Sequence, residues 1–187
     1  MNEVDRARRL LEERGLSAAL VAHCRGVATT AAELARRWGA DPVGAEVAGL
    51  LHDSFRETPR EEVLAAARKH HVNVDALAEK YPVQLLHGPV AGAWLATQGY
   101  APEMCSAVAR HTVGAKDMSV LDRCLFVADA VEPQRDFDGI AETREAARCC
   151  LDEAVALIAA RDVARLEARG REVHPHMRAL LQERDDT

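Results

Sequence analysis

His52-Asp53 closes the apolar run Ala48-Gly49-Leu50-Leu51, so an imidazole and a carboxylate stand together where the chain enters its interior. Three more polar residues fall on stripes that are otherwise apolar at helical spacing. They are His23 between Leu20 and Val27, His111 after Met104 and Val108, and Asp129 after Leu121 and Leu125. An ionised carboxylate in a core is strongly unfavourable unless it is paired or bound to a cation. Neighbouring side chains diverge on a helix, but both reach one ion that sits near the helix end. Imidazole and carboxylate without thiolate suit iron, manganese, zinc or cobalt better than calcium or a cysteine-based structural site. Taken singly, each residue also has an ordinary reading. His23 fits a hydrogen-bonded core histidine, Asp129 a partner for Arg123 or Arg135, and His111 a helix end whose dipole favours it. Taken together, four helices each bring a polar group inward, and one shared metal site satisfies them all.

The elements that must position these groups read as helices throughout, because β-branched residues do not cluster in alternating runs. A first helix is expected over 3–14, ended by Gly15. Ser17 caps a second, which runs to Trp38 with Gly39 after it. Asp41 and Pro42 open a third as cap and first-turn proline, with Val43, Val47, Leu50 and Leu51 as its stripe. Thr58 and Glu61 have the spacing of a capping box. Residues 81–86 read as a loop, and His87-Gly88-Pro89 as the start of a helix that stops before Gly99. Pro102 opens the next helix, 111–118 reads as a loop, and Ser119 with Asp122 forms a second capping pattern before a stop at Glu132-Pro133. A long Ala-rich helix covers 152–169, and the polar stretch 183–187 reads as a frayed end. The expectation is an all-α protein of about eight to ten helices with short connections. A single domain over 1–187 is expected, with its core from about 17 to 177.

Composition narrows the function. The 187 residues carry 24 Lys and Arg against 30 Asp and Glu, a net charge of -6. That leaves no basic footprint for phosphate contacts and argues against a nucleic-acid partner. Aromatics are 4%, too few for a base-stacking surface. No apolar run approaches the roughly 18 residues of a membrane span, so no membrane is expected. The charged start Met1–Arg9 lacks the apolar segment of a signal peptide. The five cysteines show no CxxC spacing, which reads as reduced thiols in the cytoplasm.

The order of short segments carries a resemblance. Ala48-Gly-Leu-Leu-His-Asp53 is followed by His87-Gly-Pro-Val90, then by Arg110-His-Thr112 with Gly114 and Met118. Val127-Ala-Asp129 comes next, with Glu132-Pro133 and Arg135. With His23 ahead of them, these segments resemble the YqeK family of HD-domain symmetrical diadenosine-tetraphosphate hydrolases, over about 17–177. The resemblance implies an all-α HD-domain bundle with a buried metal site. It implies metal ligation by His23, His52, Asp53 and Asp129. His87 and His111 match two further histidines that complete a second metal position or contact substrate phosphates. Thr112, Arg135 and the His174-Pro175 segment match positions on the nucleotide side. Asp53 and Arg56 are the expected catalytic pair, with Arg56 also a nucleotide contact. The family usually has Lys at the Arg56 position, and Arg rather than Leu at position 20. The implied cofactor is a divalent or di-iron centre, with iron first and manganese, cobalt or zinc behind it. The implied partner is a dinucleoside polyphosphate or nucleotide, and a homodimer is the candidate assembly. A phosphatase of mononucleotides and a nucleotide-binding regulator with weak turnover are the alternatives.

Several residues read as structural. His70-His71 and His176 are expected in solvent, Trp38 and Trp94 in the core, and Cys24 without a role. Arg144, Arg148, Arg161 and Arg165 read as pairs on exposed helix faces, with a basic rim near the site as the other reading.

Overall fold

Residues 2–182 are described by a computed structural model; the expected frayed end, 183–187, lies outside them. Among the described residues there are eleven helices and no strand. Two helices hold the centre. α2 (Ala18–Trp38) begins on Ser17, whose hydroxyl accepts from the Leu20 N–H. The same hydroxyl donates to Glu57 at 2.6 Å. α3 (Pro42–Leu51) begins on Asp41, which accepts from the Val43 and Gly44 N–H groups. The two helices touch at Gly49, where a Cβ would stand 2.5 Å from Cα of Ala28. No side chain fits there, and the close crossing brings the middle of α2 against the end of α3. α1 (Glu3–Glu13) lies on α3 and buries Ala7 and Leu11.

α4 (Arg60–Lys69), α5 (Ala76–Lys80) and α6 (Pro82–Thr97) follow, and α7 (Pro102–Arg110) and α8 (Val120–Val131) close on α2 and α3. α9 (Ile140–Cys149), α10 (Leu151–Ala168) and α11 (Pro175–Gln182) complete the chain. The apolar core runs from Ala7 to Leu180, beyond both ends of the span 17–177. It contains the expected Val27, Ala31, Leu34, Val47, Leu125 and Val108. Ser119 and Asp122 form the full capping box at α8.

Four local expectations differ. Residues 82–86 are helical, because Pro82, and not Pro89, is the opening proline of α6. Pro89 sits inside the helix, where its missing N–H leaves the Leu85 carbonyl without the usual partner. Thr58 does not cap: Pro59 precedes α4 and no side chain bonds its first turn. Val43 is 46% exposed, since it occupies the turn of α3 ahead of the helix's entry into the core. The short α5, capped by Asp75, lies in a stretch that offered no apolar period long enough to register.

Candidate metal centre

Helix ends aim most of the polar cluster. His52 is the C-cap of α3 and His111 the C-cap of α7, so both rings leave their helices where backbone carbonyls are free. His52 Nδ1 lies 2.8 Å from the Gly49 carbonyl, and His111 Nδ1 lies 2.7 Å from that of Val108. On α6, His87 Nδ1 lies 2.7 Å from the Val83 carbonyl. A carbonyl only accepts, so each Nδ1 carries the proton and each Nε2 is left as a lone pair. His23, on α2, has Nδ1 3.1 Å from Glu132 Oε1. All four histidines are thus tied through one ring nitrogen and present the other inward, which is how metal-binding imidazoles are held.

The Nε2 atoms converge on two carboxylates. Asp129 Oδ1 is 3.0 Å from His23 Nε2 and 3.9 Å from His52 Nε2. Asp53 lies between the halves of the cluster. Its Oδ2 is 3.6 Å from His52 and 4.0 Å from His23, while its Oδ1 is 3.1 Å from His87 and 3.6 Å from His111. His87 and His111 face each other through Nε2 atoms 3.1 Å apart, with the Thr112 hydroxyl 3.2 Å from both. Two imidazole lone pairs and a carboxylate oxygen in such contact repel unless a proton or cation lies among them. His52 Nε2 is fully buried and has no hydrogen-bond partner. A divalent cation fits this donor set: His23, His52 and Asp129 form one group of candidate ligands, and His52, Asp53 and His111 another.

Charge in the cluster is strongly perturbed. Burial works to raise the Asp53 carboxyl, but the neighbouring His52, His111 and His87 outweigh it and hold it well below the carboxylate range. Desolvation opposes ionisation of Asp129 too, and is overcome by His23, His52 and Arg135. Burial pushes His52 down to about 4, so it is a neutral donor at physiological pH. Burial lowers His87 as well. In His111 burial is outweighed by Asp53, and in His23 by Asp129, so both are raised. Two ionised carboxylates beside the neutral imidazoles of His52 and His87 are the protonation state that a cation requires.

The cluster forms part of the wall of a cavity of about 850 Å³. Arg56, Thr112, Arg135 and His174 line the same cavity, together with Leu20. Arg56 is exposed and has no ion-pair partner among the described residues. Arg135 Nη2 is 2.6 Å from Asp129 Oδ1 and 3.4 Å from His23 Nε2, so it already touches the cluster. Pro175 is exposed and opens α11 without reaching the cavity wall. His176 is exposed, and Cys24 is fully buried.

Two residues gain a place that the sequence did not give them. Glu132, read as a helix stop, is 1% exposed and holds His23; its Oε2 accepts from the Gln134 N–H at 2.8 Å. Gly26 makes room for it, since a Cβ there would stand 2.6 Å from Glu132 Oε2. The Glu-Pro pair masked this second duty. Arg144, expected on an exposed face, instead bonds the carbonyls of Val131, Glu132 and Arg135 at the end of α8. Arg161 and Arg165 line the cavity, as the basic-rim reading requires. Arg148 remains on the surface, paired with Glu145.

The chain is similar to known proteins in sequence and in fold. The HD domain family matches residues 20–134. A symmetrical bis(5'-nucleosyl)-tetraphosphatase of Bacillus subtilis is 36% identical over 136 residues, which are 71% of this chain and 72% of that protein. A protein of the same name from Staphylococcus aureus is 31% identical, covering 77% and 74%. A crystal structure from Clostridium acetobutylicum, described as that of a predicted HD superfamily hydrolase involved in NAD metabolism, superimposes with a TM-score of 0.88 at 26% identity. That match covers 95% of this chain and 94% of the other. The HD motif, the inward-facing histidines and the relatives agree, and the chain belongs to the HD-domain family, in the group of these symmetrical bis(5'-nucleosyl)-tetraphosphatases.

Proposed function

We propose that this chain is a metal-dependent phosphohydrolase that cleaves diadenosine tetraphosphate at its centre and releases two ADP. The observation that carries the reading is the convergence of four imidazole Nε2 atoms on two ionised carboxylates in the wall of a cavity. In this reading His23, His52, Asp53 and Asp129 would hold one ion, and His87 and His111 would serve a second. Iron is the proposed metal. A cation in this place lowers the pKa of water and draws charge from a phosphoryl oxygen.

The chain's own groups do the rest. Asp53 orients the attacking water by accepting its hydrogen bond. Arg56 neutralises charge that builds on the transferred and leaving phosphates. Thr112, Arg135 and His174, with Pro175 behind it, anchor one ADP half and so set the central anhydride against the cluster. Glu132 keeps His23 turned inward. No helix among the described residues is long and apolar enough to cross a membrane, and the reading is of a cytoplasmic enzyme.

Chelation tests the metal requirement. Protein stripped of metal should be inert toward diadenosine tetraphosphate, and should regain turnover with iron, manganese, cobalt or zinc. Turnover that survives verified removal of metal contradicts the proposal. Arg56 gives a second expectation. Arg56→Ala should cost on the order of 2 to 4 kcal/mol of transition-state stabilisation, while Arg56→Lys keeps the charge and most of the rate. Steady-state kinetics check this; an alanine variant equal to wild type would show that Arg56 faces solvent during the reaction.

A further inference from the structure

One face of α10 is basic where it borders the cavity. Ile158, Arg161, Arg165 and Arg169 line it at helical spacing. Arginines four residues apart are separated by about 6 Å along a helix, so the row extends about 12 Å. It is built rather than loose. The Arg161 guanidinium lies 3.9 Å from the centre of the Phe137 ring, and its Nη2 and Nε are 2.8 and 3.1 Å from Asp162 Oδ1. Arg165 Nε is 3.5 Å from that same oxygen. One carboxylate therefore serves two guanidiniums, and Arg169 has no ion pair among the described residues. The face remains net positive.

The catalytic end of the cavity already has Arg56 and Arg135 for phosphate, and a mononucleotide uses no more than that. A second basic row in the same cavity suits a ligand with a second anionic half. We propose that the Arg161-Arg165-Arg169 face is a second subsite, which holds the nucleoside diphosphate half of the substrate that is not anchored by Arg135 and Thr112. The inference rests on the proposed function and adds a length criterion to it. Both halves must be held for the central anhydride to sit at the cluster, so a dinucleoside polyphosphate is preferred to a mononucleotide. Arginine suits this duty, because its planar fork meets phosphate through two parallel bonds.

The test uses ADP as the probe on the metal-loaded full chain. Isothermal titration should find two ADP bound per chain in wild type, and one in the triple variant Arg161→Ala, Arg165→Ala, Arg169→Ala. The triple variant should also lose about 100-fold in kcat/KM for diadenosine tetraphosphate, mostly through KM, as expected when binding remote from the reacting bond is removed. Arg165→Glu guards against misfolding, since the Arg165 side chain is 51% exposed. It should raise KM about 10-fold on its own. Unchanged ADP stoichiometry and a KM within twofold of wild type in both variants would overturn the subsite. A wild type that cleaves diadenosine tetraphosphate but binds one ADP also overturns it, and leaves the proposed function standing. A wild type that binds two ADP, loses one in the triple variant and cleaves nothing supports the subsite and overturns the function.

Discussion

Asp53→Ala is expected to abolish turnover, by on the order of 10⁴-fold or more, and to lower the metal content of the purified protein. Asp53 is the one carboxylate that touches both halves of the cluster, through Oδ2 to His52 and Oδ1 to His87. Removing it leaves His87 and His111 with no carboxylate beside them and His23 and His52 with Asp129 alone, so a cation there loses both a ligand and a neutralising partner. His52→Ala and Asp129→Ala should fail in the same way. The three losses should not add, because each disables one unit: an Asp53→Ala, Asp129→Ala double variant should be no slower than either single. Elemental analysis beside kinetics reads both effects. An Asp53→Ala protein with full metal and wild-type rate would remove the cluster from the account.

His87→Ala and His111→Ala are expected to behave differently. His23, His52 and Asp129 form a group without them. One ion should therefore stay bound while turnover falls by about 10²-fold or more. His87 and His111 meet at 3.1 Å and share the Thr112 hydroxyl, so loss of either ring leaves the other with Asp53 Oδ1 and Thr112. The two variants should resemble each other more than they resemble Asp53→Ala. Anomalous scattering at the metal edge counts the ions in each protein. Complete loss of metal from either variant would make these histidines ligands of a single shared ion and remove the second position.

The fold was legible where punctuation and period coincide. Ser17, Asp41, Ser119 and the glycines after the helices do locally what their types suggest, and α2, α3 and α8 follow. Pro89 misled because proline is tolerated inside α6, with Pro82 taking the opening position. α5 escaped because five residues are too few to display a helical period. His23, His111 and Asp129 could be read in the sequence because they break apolar stripes, and His52-Asp53 because it ends an apolar run, whereas His87 entered only through the family resemblance. Glu132 could not be read, since its contact with His23 spans 109 residues and depends on the gap left by Gly26. The arginines of α10 were ambiguous for a similar reason. A basic helix face reads alike whether it borders solvent or a cavity, and only packing against α8 decides which.

The central claim is cleavage of the middle anhydride at this cluster, and a single turnover tests it most directly. Metal-loaded protein in excess over diadenosine tetraphosphate, quenched and separated by chromatography, should yield ADP as the only nucleotide product. Equal amounts of AMP and ATP would contradict the symmetrical cut. Intact dinucleotide, with phosphate released from a mononucleotide in a parallel reaction, would contradict the substrate as well.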